Sequence, residues 1–500
     1  MGVDKFYKNS AILTLSNFVT GFIGFAFSIV LSKKLGPEGL GLYGLVMPIY
    51  CLMVCLTSDG LITAISKRCA VYNSKKDYRN LHRTVKVAFI FIFLWSVFVA
   101  FLVFINASNI SSLIIKDSRA TDALKIICPA LVFIPMSAIV KGVFYGFEKF
   151  TVPAAIDILE KCIRISILMA TIVILNLTDV TSSVSAAYFA LCIGEAISLV
   201  MLASSYRFSI KRVKPVKTAV KNPLQLLADI LVISFPLCIN GVLSSILNTA
   251  STLILPRRLV SAGFDYENAL ALIGKFVGMA LTTVYLPFII VGSMMTVLIP
   301  DMSLSLSKKD AYSTQHRISQ VLRISFLVGL GTLAIATGLS KQLGLLFYGR
   351  IDLSPMIMFA GISCFLSYVT STSFGILNGL GKQNVNLRNS TIVSVEGLIL
   401  VYILTAIPEL NIYGYGLSLI ITSITAFILN VMEIRKTSEV HFYLTRISVY
   451  CIFGVTAFMV CRLSLILIPA NLLVFQVVIP TILTFAILFG FTKLYLSAAK

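Results

Sequence analysis

Charged side chains are scarce in this sequence. Asp, Glu, Lys and Arg together supply 12% of its 500 residues, against 58% hydrophobic ones. A soluble protein of this length cannot cover its surface with so few charges. Histidine is scarcer still: His82, His316 and His441 stand far apart on separate polar loops. They make no metal triad and offer no obvious general base. Long polar stretches are also missing. The widest gaps between apolar runs, at roughly 66–84, 207–226 and 300–317, are too short to hold a soluble core. No G-x-x-x-x-G-K-[ST] phosphate loop occurs, so the chain is not expected to hydrolyse ATP. A cleavable signal peptide is not expected either. The first apolar run is too long for one and passes through Lys33-Lys34 into a second run.

What fills the chain instead is apolar. About fourteen runs follow one another, at roughly 10–32, 40–65, 85–106, 123–147, 152–177, 184–206, 227–255, 269–299, 318–346, 353–380, 389–408, 412–432, 447–469 and 472–492. A bilayer core about 30 Å thick takes about 20 apolar residues per spanning helix. Lipid offers backbone groups no partner, and a barrel would show short alternating segments, so the runs predict helices. The predicted fold is an all-α integral membrane protein with about fourteen transmembrane helices. The net charge of +20 is distributed to match. With the N-terminus in the cytoplasm, about 27 Lys and Arg fall on the cytoplasmic side and about 9 outside. Both termini are then cytoplasmic. The basic clusters Lys67-Arg68-Lys75-Lys76-Arg79-Arg83 and Arg207-Lys211-Arg212-Lys214-Lys217-Lys221 read as topology signals and anchors for anionic membrane lipids, with no nucleic-acid partner expected.

The ten cysteines lie nearly all within predicted helices, where they serve as small apolar residues rather than as a disulfide framework or a metal site. The chain also echoes itself. Leu31-Ser32-Lys33-Lys34-Leu35 after the first run parallels Leu255-Pro256-Arg257-Arg258-Leu259 after the seventh. Tyr145-Gly146-Phe147-Glu148-Lys149 parallels Asn378-Gly379-Leu380-Gly381-Lys382. These echoes predict two pseudo-symmetric six-helix lobes, residues 1–222 and 223–436, and a two-helix appendage at 437–500. Six spans per lobe is an even number, so the repeats are parallel, and two such bundles predict a central cleft and alternating access.

An ionisable side chain inside a span costs about 2.5–3.5 kcal/mol and is a functional candidate by default. The fifth run carries Asp157, Glu160, Lys161 and Arg164 on one helical stripe, which allows the pairs Asp157–Lys161 and Glu160–Arg164. The first and seventh runs carry polar stripes that include Asn17, Thr20, Asn240, Ser244 and Asn248, and the symmetry of the two stripes makes them candidates to line the central cleft and bind substrate. Small polar residues at this spacing serve helix packing equally well. Arg257 and Lys275 are candidates for an anionic head group, as is Lys141. Side chains near helix ends can also snorkel to water. Asp59, Glu195 and Glu396 are the remaining acids in spans and the candidates for ion or proton coupling. Pro48, Pro129, Pro135, Pro236 and Pro287 interrupt spans, and each permits a bend. Gly39-Leu40-Gly41-Leu42-Tyr43-Gly44 matches G-x-G-x-x-G but follows a membrane helix, not a strand, which rules out dinucleotide binding. Neither a cofactor nor a metal is expected, and no enzyme signature holds.

Leu35-Gly36-Pro37-Glu38-Gly39-Leu40-Gly41-Leu42-Tyr43 resembles the hallmark of polysaccharide-type flippases in the multidrug/oligosaccharidyl-lipid/polysaccharide exporter superfamily. The likeness extends through Asp59-Gly60, Lys141 to Gly146, Pro153-Ala154-Ala155, Glu160 to Arg164 and Gly379 to Lys382. Within the superfamily the chain most resembles the stage V sporulation protein B group. The resemblance implies a two-lobed bundle of fourteen spans that flips an undecaprenyl-pyrophosphate-linked sugar from the inner to the outer leaflet of a bacterial plasma membrane. That sugar would be a precursor of peptidoglycan or polysaccharide for cell wall or spore cortex, and cell-wall synthesis proteins would be partners. It also implies cavity cations that receive the pyrophosphate. The first span lacks an internal arginine, so Lys141, Arg164 and Lys275 stand in for them. Two other readings fit the residues: a multidrug extruder driven by Na⁺ or H⁺, and a non-transporting scaffold for envelope assembly.

Overall fold

The computed structural model describes residues 2–177, 179–209, 222–295, 311–436, 444–469 and 471–498, and every described element is helical. Helix α1 (Gly2–Ser58) is interrupted at Gly36, whose φ of 69° leaves the helical region and divides the first two apolar runs. It is followed by α2 (Leu61–Ser74), α3 (Tyr78–Ile105), α4 (Ala120–Ile127), α5 (Ala130–Gly146), α6 (Thr151–Ile174), α7 (Val180–Ser209) and α8 (Pro223–Ser261). Then come α9 (Tyr266–Ile273), α10 (Ala311–Gly338), α11 (Ser340–Tyr348), α12 (Ser354–Gly379), α13 (Gln383–Leu404), α14 (Tyr413–Arg435), α15 (Leu444–Leu467) and α16 (Leu473–Ala498).

Eleven of these segments are long and apolar enough to cross a membrane, or twelve when the bent pair Tyr266–Val284 and Phe288–Met295 counts as one span. The difference from about fourteen has two sources. The first two runs form one continuous stretch, Thr14–Ser74. Helix α6 falls short because four charged residues interrupt it. Pro287 sits at the break in the bent pair, where the chain turns by 60°, as a missing N–H and a fixed φ dictate. The gap expected at 66–84 is mostly helix. Leu61, Ala64, Ile65, Cys69 and Tyr72 are buried along one face of α2, and only residues 75–77 separate it from α3. Asp77 caps α3 by accepting a hydrogen bond from the Asn80 N–H at 3.1 Å. The basic segment 210–221 and the segment 296–310 lie outside the described residues.

By packing, the chain forms two compact units: Met1–Leu35 with Leu42–Leu253, and Gly36–Gly41 with Ile254–Lys500. The sequence echoes divide it differently, at 222 and 436. The packing boundary falls inside α8, and the C-terminal pair α15 and α16 belongs to the second unit.

Lipid tails are as apolar as leucine, so helices in a membrane associate through close fit rather than through escape from water. In the first unit, Gly142 and Gly146 on α5 let α2 approach. A Cβ at either would lie 2.9 Å from the Ile65 Cβ and 2.7 Å from the Cys69 Cβ, respectively. Leu81, Ile139, Val143 and Phe144 complete this core. In the second unit, Gly361 on α12 rests on Ala336 of α10, and Gly416 on α14 meets Phe359 and Ser363 of α12. Residues Gly274–Leu281 are wound as a π-helix. There Gly274 and Gly278 leave no room for a Cβ beside Pro37 and Leu40 of the hallmark segment.

Candidate functional site

The charged stripe of α6 carries the densest ion cluster among the described residues. Arg164 Nη2 lies 2.5 Å from Glu160 Oε1 and 3.1 Å from Glu195 Oε1 on α7. Glu160 Oε2 in turn holds Lys161 Nζ at 3.0 Å. Lys141 on α5 reaches Asp157 at 2.6 Å. The expected Glu160–Arg164 pair is present, but Asp157 pairs with Lys141 instead of Lys161. The reason is reach across helices: α5 brings Lys141 to Asp157, and Lys161 turns to the neighbouring Glu160. Glu160 and Arg164 are both buried, at 4% and 8% exposure.

Gly194 on α7 makes the fit, since a Cβ there would lie 2.8 Å from Glu160 Oε1 and 3.6 Å from the Arg164 Cβ. Tyr43 and Tyr50 stand within electrostatic reach of Arg164. Tyr43 stacks on Tyr188, with ring centroids 4.8 Å apart, and the Tyr188 hydroxyl donates to the Tyr43 carbonyl at 2.7 Å. Sequence reading missed these tyrosines, although the spacing of 43 and 50 on one helix was a visible sign. With Lys141, Lys161 and Arg164 set against Asp157, Glu160 and Glu195, the fully ionised cluster is neutral. Each cation is held by an acid, so an incoming anion must compete with carboxylates, or a carboxylate must take up a proton first.

A second polar site in the same unit surrounds Asp59. A pocket of about 300 Å³ is lined by Asp59, Gly60, Thr63, Leu237, Asn240, Gly241 and Ser244. Gly60, with φ of 76°, turns the chain between α1 and α2 and seats it on α8, where a Cβ would lie 2.8 Å from the Ser234 oxygen. A Cβ on Gly241 would run into the Asp59 carboxylate, so α8 has been left bare where that side chain lies. The structure thus joins Asp59 to Asn240 and Ser244. The other polar-stripe candidates do not line this pocket. Asn17 and Asn248 are exposed, and the Thr20 hydroxyl donates to the Ser16 carbonyl of its own helix at 2.8 Å.

Lys275, Arg257 and Glu396 belong to the second unit. Lys275 Nζ lies 2.7 Å from Asp352 Oδ2, and Arg350 also holds that carboxylate at 3.1 Å. Arg257 is half-buried near the end of α8. Its neighbour Arg258 donates to the Tyr402 carbonyl at 2.9 Å and lies 4.1 Å over the Tyr402 ring. Glu396 accepts a hydrogen bond from the Thr425 hydroxyl at 2.8 Å. Among the described residues no three His, Cys, Asp or Glu side chains converge on a metal site.

The Asp352 pair yields a pH prediction. Partial burial alone raises its pKa, but hydrogen bonds from Arg350 and Lys275 outweigh this and pull it down to about 2. A folded-state pKa below the unfolded value contributes stability that is fully present above the ordinary carboxylate range and lost as pH falls through the folded value. The melting-temperature difference between wild type and Asp352→Asn is therefore expected to stay constant from about pH 8 to pH 5 and to close towards pH 2. Melting curves across that series check it.

Comparison with known proteins fixes the family. The family described as "Polysaccharide biosynthesis protein" matches residues 6–306, more than half of the chain. The chain belongs to this polysaccharide biosynthesis protein family. It is similar to Stage V sporulation protein B of Bacillus subtilis (strain 168), with 24% identity over 438 residues, 87% of this chain and 85% of the relative. It is similar also to Lipid II flippase MurJ of the same organism, with 22% identity over 425 residues, 79% of this chain and 77% of the relative. In fold it matches a solved structure of Lipid II flippase MurJ in an inward closed conformation, with TM-score 0.72 and 16% identity, over 97% of this chain and 99% of that one. Family and fold agree with the all-α, multi-span membrane architecture expected from the apolar runs.

Proposed function

We propose that this protein flips an undecaprenyl-pyrophosphate-linked sugar, a lipid II-like precursor of peptidoglycan or polysaccharide, from the inner to the outer leaflet of a bacterial plasma membrane. Its product would serve cell-wall or spore-cortex synthesis. The observation that carries this reading is Arg164, a cation buried in a membrane helix and shared by two carboxylates from different helices. A pyrophosphate-sugar head cannot cross hydrocarbon unaided. An arginine fork suits phosphate oxygens. Lys161 on the same helix and Lys141 on α5 extend the charged cluster. Neutrality of the resting cluster means that pyrophosphate exchanges with Glu160 or Glu195 rather than entering an open cationic site. The polar side chains at Asp59, Asn240 and Ser244 are candidates for the coupling ion, with Glu195 and Glu396 as candidate proton carriers. Arg257 and Lys275 complete the proposed set of anion-facing cations.

Asp59 also supports a second reading. It has no cationic partner among the described residues, and an acid in a polar pocket suits an organic or inorganic cation. A multidrug extruder would use it so. Reconstitution into proteoliposomes separates the two readings. Protein-dependent movement of fluorescent lipid II without ethidium efflux is the expected result. Ethidium efflux with static lipid II would replace the flippase by the extruder, and movement of neither would leave the scaffold reading.

A further inference from the structure

The ends of α13 and α14 that lie together, Gln383–Asn389 and Asn430–Lys436, carry a basic cluster that the transport reading does not use. Glu433 Oε1 accepts from Arg388 Nη2 at 3.2 Å and from Lys436 Nζ at 2.9 Å. Lys382 Nζ donates to the Glu433 carbonyl at 3.0 Å and lies 3.7 Å from its Oε2. Three cations thus gather on one carboxylate, an excess of two positive charges. The carboxylate lies behind, with its side chain 11% exposed, while those of Arg388 and Lys436 remain 54% and 64% exposed.

The arrangement is anchored from inside. Arg388 donates to Asn389 Oδ1 at 3.1 and 2.9 Å, Asn389 donates to Asn430 at 2.9 Å, and Asn430 donates to Ser373 on α12 at 2.8 Å. Both asparagines are fully buried. A chain of buried amides holds a guanidinium in place at a surface where an ordinary topology signal needs only a mobile lysine.

Each outer cation also heads an apolar stripe on its own helix. On α13 the stripe runs Arg388, Ile392, Val395, Ile399, and on α14 it runs Lys436, Met432, Ile428, Ile424. The six apolar residues are 41–57% exposed. Spacings of three and four place each set on one helix face.

We infer that this pair of helices binds an anionic phospholipid, its phosphate between Arg388 and Lys436 and its acyl chains along the two stripes. Charge complementarity selects the occupant. A headgroup with net negative charge relieves the excess positive charge, whereas a zwitterionic one brings its own cation. Glu433 acts as the spacer that sets the two cations one carboxylate apart.

The test uses the full-length protein in detergent. Native mass spectrometry titrations with phosphatidylglycerol, phosphatidylcholine and undecaprenyl phosphate are run on wild type, on Arg388→Gln/Lys436→Gln, and on Lys33→Gln/Lys34→Gln as a charge-matched control. Phosphatidylglycerol should bind wild type and control alike, and the double variant about thirtyfold more weakly. Single Lys436→Gln, which leaves the hydrogen-bond chain from Arg388 through Asn389 and Asn430 to Ser373 intact, should lose about fivefold. Equal binding of phosphatidylglycerol and phosphatidylcholine to wild type overturns the proposal, as does unchanged phosphatidylglycerol binding by the variants. A site that takes undecaprenyl phosphate and not phosphatidylglycerol also overturns it and assigns the cluster to the transported lipid.

Discussion

Arg164→Ala is expected to reduce lipid II flipping to the protein-free background while the protein still inserts into the membrane. The substitution leaves Glu160 and Glu195, which share one nitrogen of Arg164, with that counter-charge gone. Removing one partner of a buried ion pair typically costs about 3–5 kcal/mol, because the other charge is stranded. Loss of flipping alone would therefore not separate a transport role from a collapsed lobe. The charge-balanced double variant Arg164→Met/Glu195→Gln makes the separation. It leaves Glu160 paired with Lys161 and Asp157 with Lys141, so it should recover most of the melting temperature while remaining inactive. Normal flipping by Arg164→Ala, or recovery of flipping by the double variant, would remove Arg164 from the substrate path. The readouts are lipid II movement in proteoliposomes and melting of the purified protein.

The second large effect is expected at Gly60. Alanine there meets two separate penalties. A φ of 76° places an L-residue in the left-handed region, at roughly 1–2 kcal/mol. Its methyl group would also lie 2.8 Å from both the Leu237 Cβ and the Ser234 oxygen, and overpacking of this kind costs about 1–3 kcal/mol. Gly36→Ala supplies the comparison. Its φ is 69° but open space surrounds the added carbon, so only the backbone penalty applies. Gly60→Ala should lower the melting temperature clearly more than Gly36→Ala and should disturb the Asp59 pocket. Equal losses would show that the seat on α8 yields at no cost.

These two sites also show what could be read from the residues and what could not. The stripe Asp157, Glu160, Lys161, Arg164 was visible because helical spacing is fixed by local geometry. The partners Glu195 and Lys141 come from other helices, and no periodicity within one run encodes which neighbour it will face. The exchange of Asp157 from Lys161 to Lys141 has the same cause. The helices were legible from apolar length, α6 among them despite its four charged residues. Their ends were less so. Helix α2 continues through Lys67 and Arg68 because Ala64, Ile65 and Cys69 keep a buried face, a signal that the basic residues mask. Gly60 and Gly241 could be read as helix-packing glycines, but that both serve the placement of Asp59 emerges only when α8 is set beside the α1–α2 corner.

The charge balance of the α6 cluster has an electrical meaning. Moving one elementary charge through the whole membrane field involves about 2.3 kcal/mol per 100 mV. Three cations opposed by three carboxylates carry no net charge, so displacement of the intact cluster does no net work against the membrane potential. Uptake of a single proton by Glu195 changes this, because the cluster then carries one positive charge and the potential acts on it directly. Voltage sensitivity would thus be conferred by protonation, and the empty and loaded forms of the protein would differ in how strongly the energised membrane drives them.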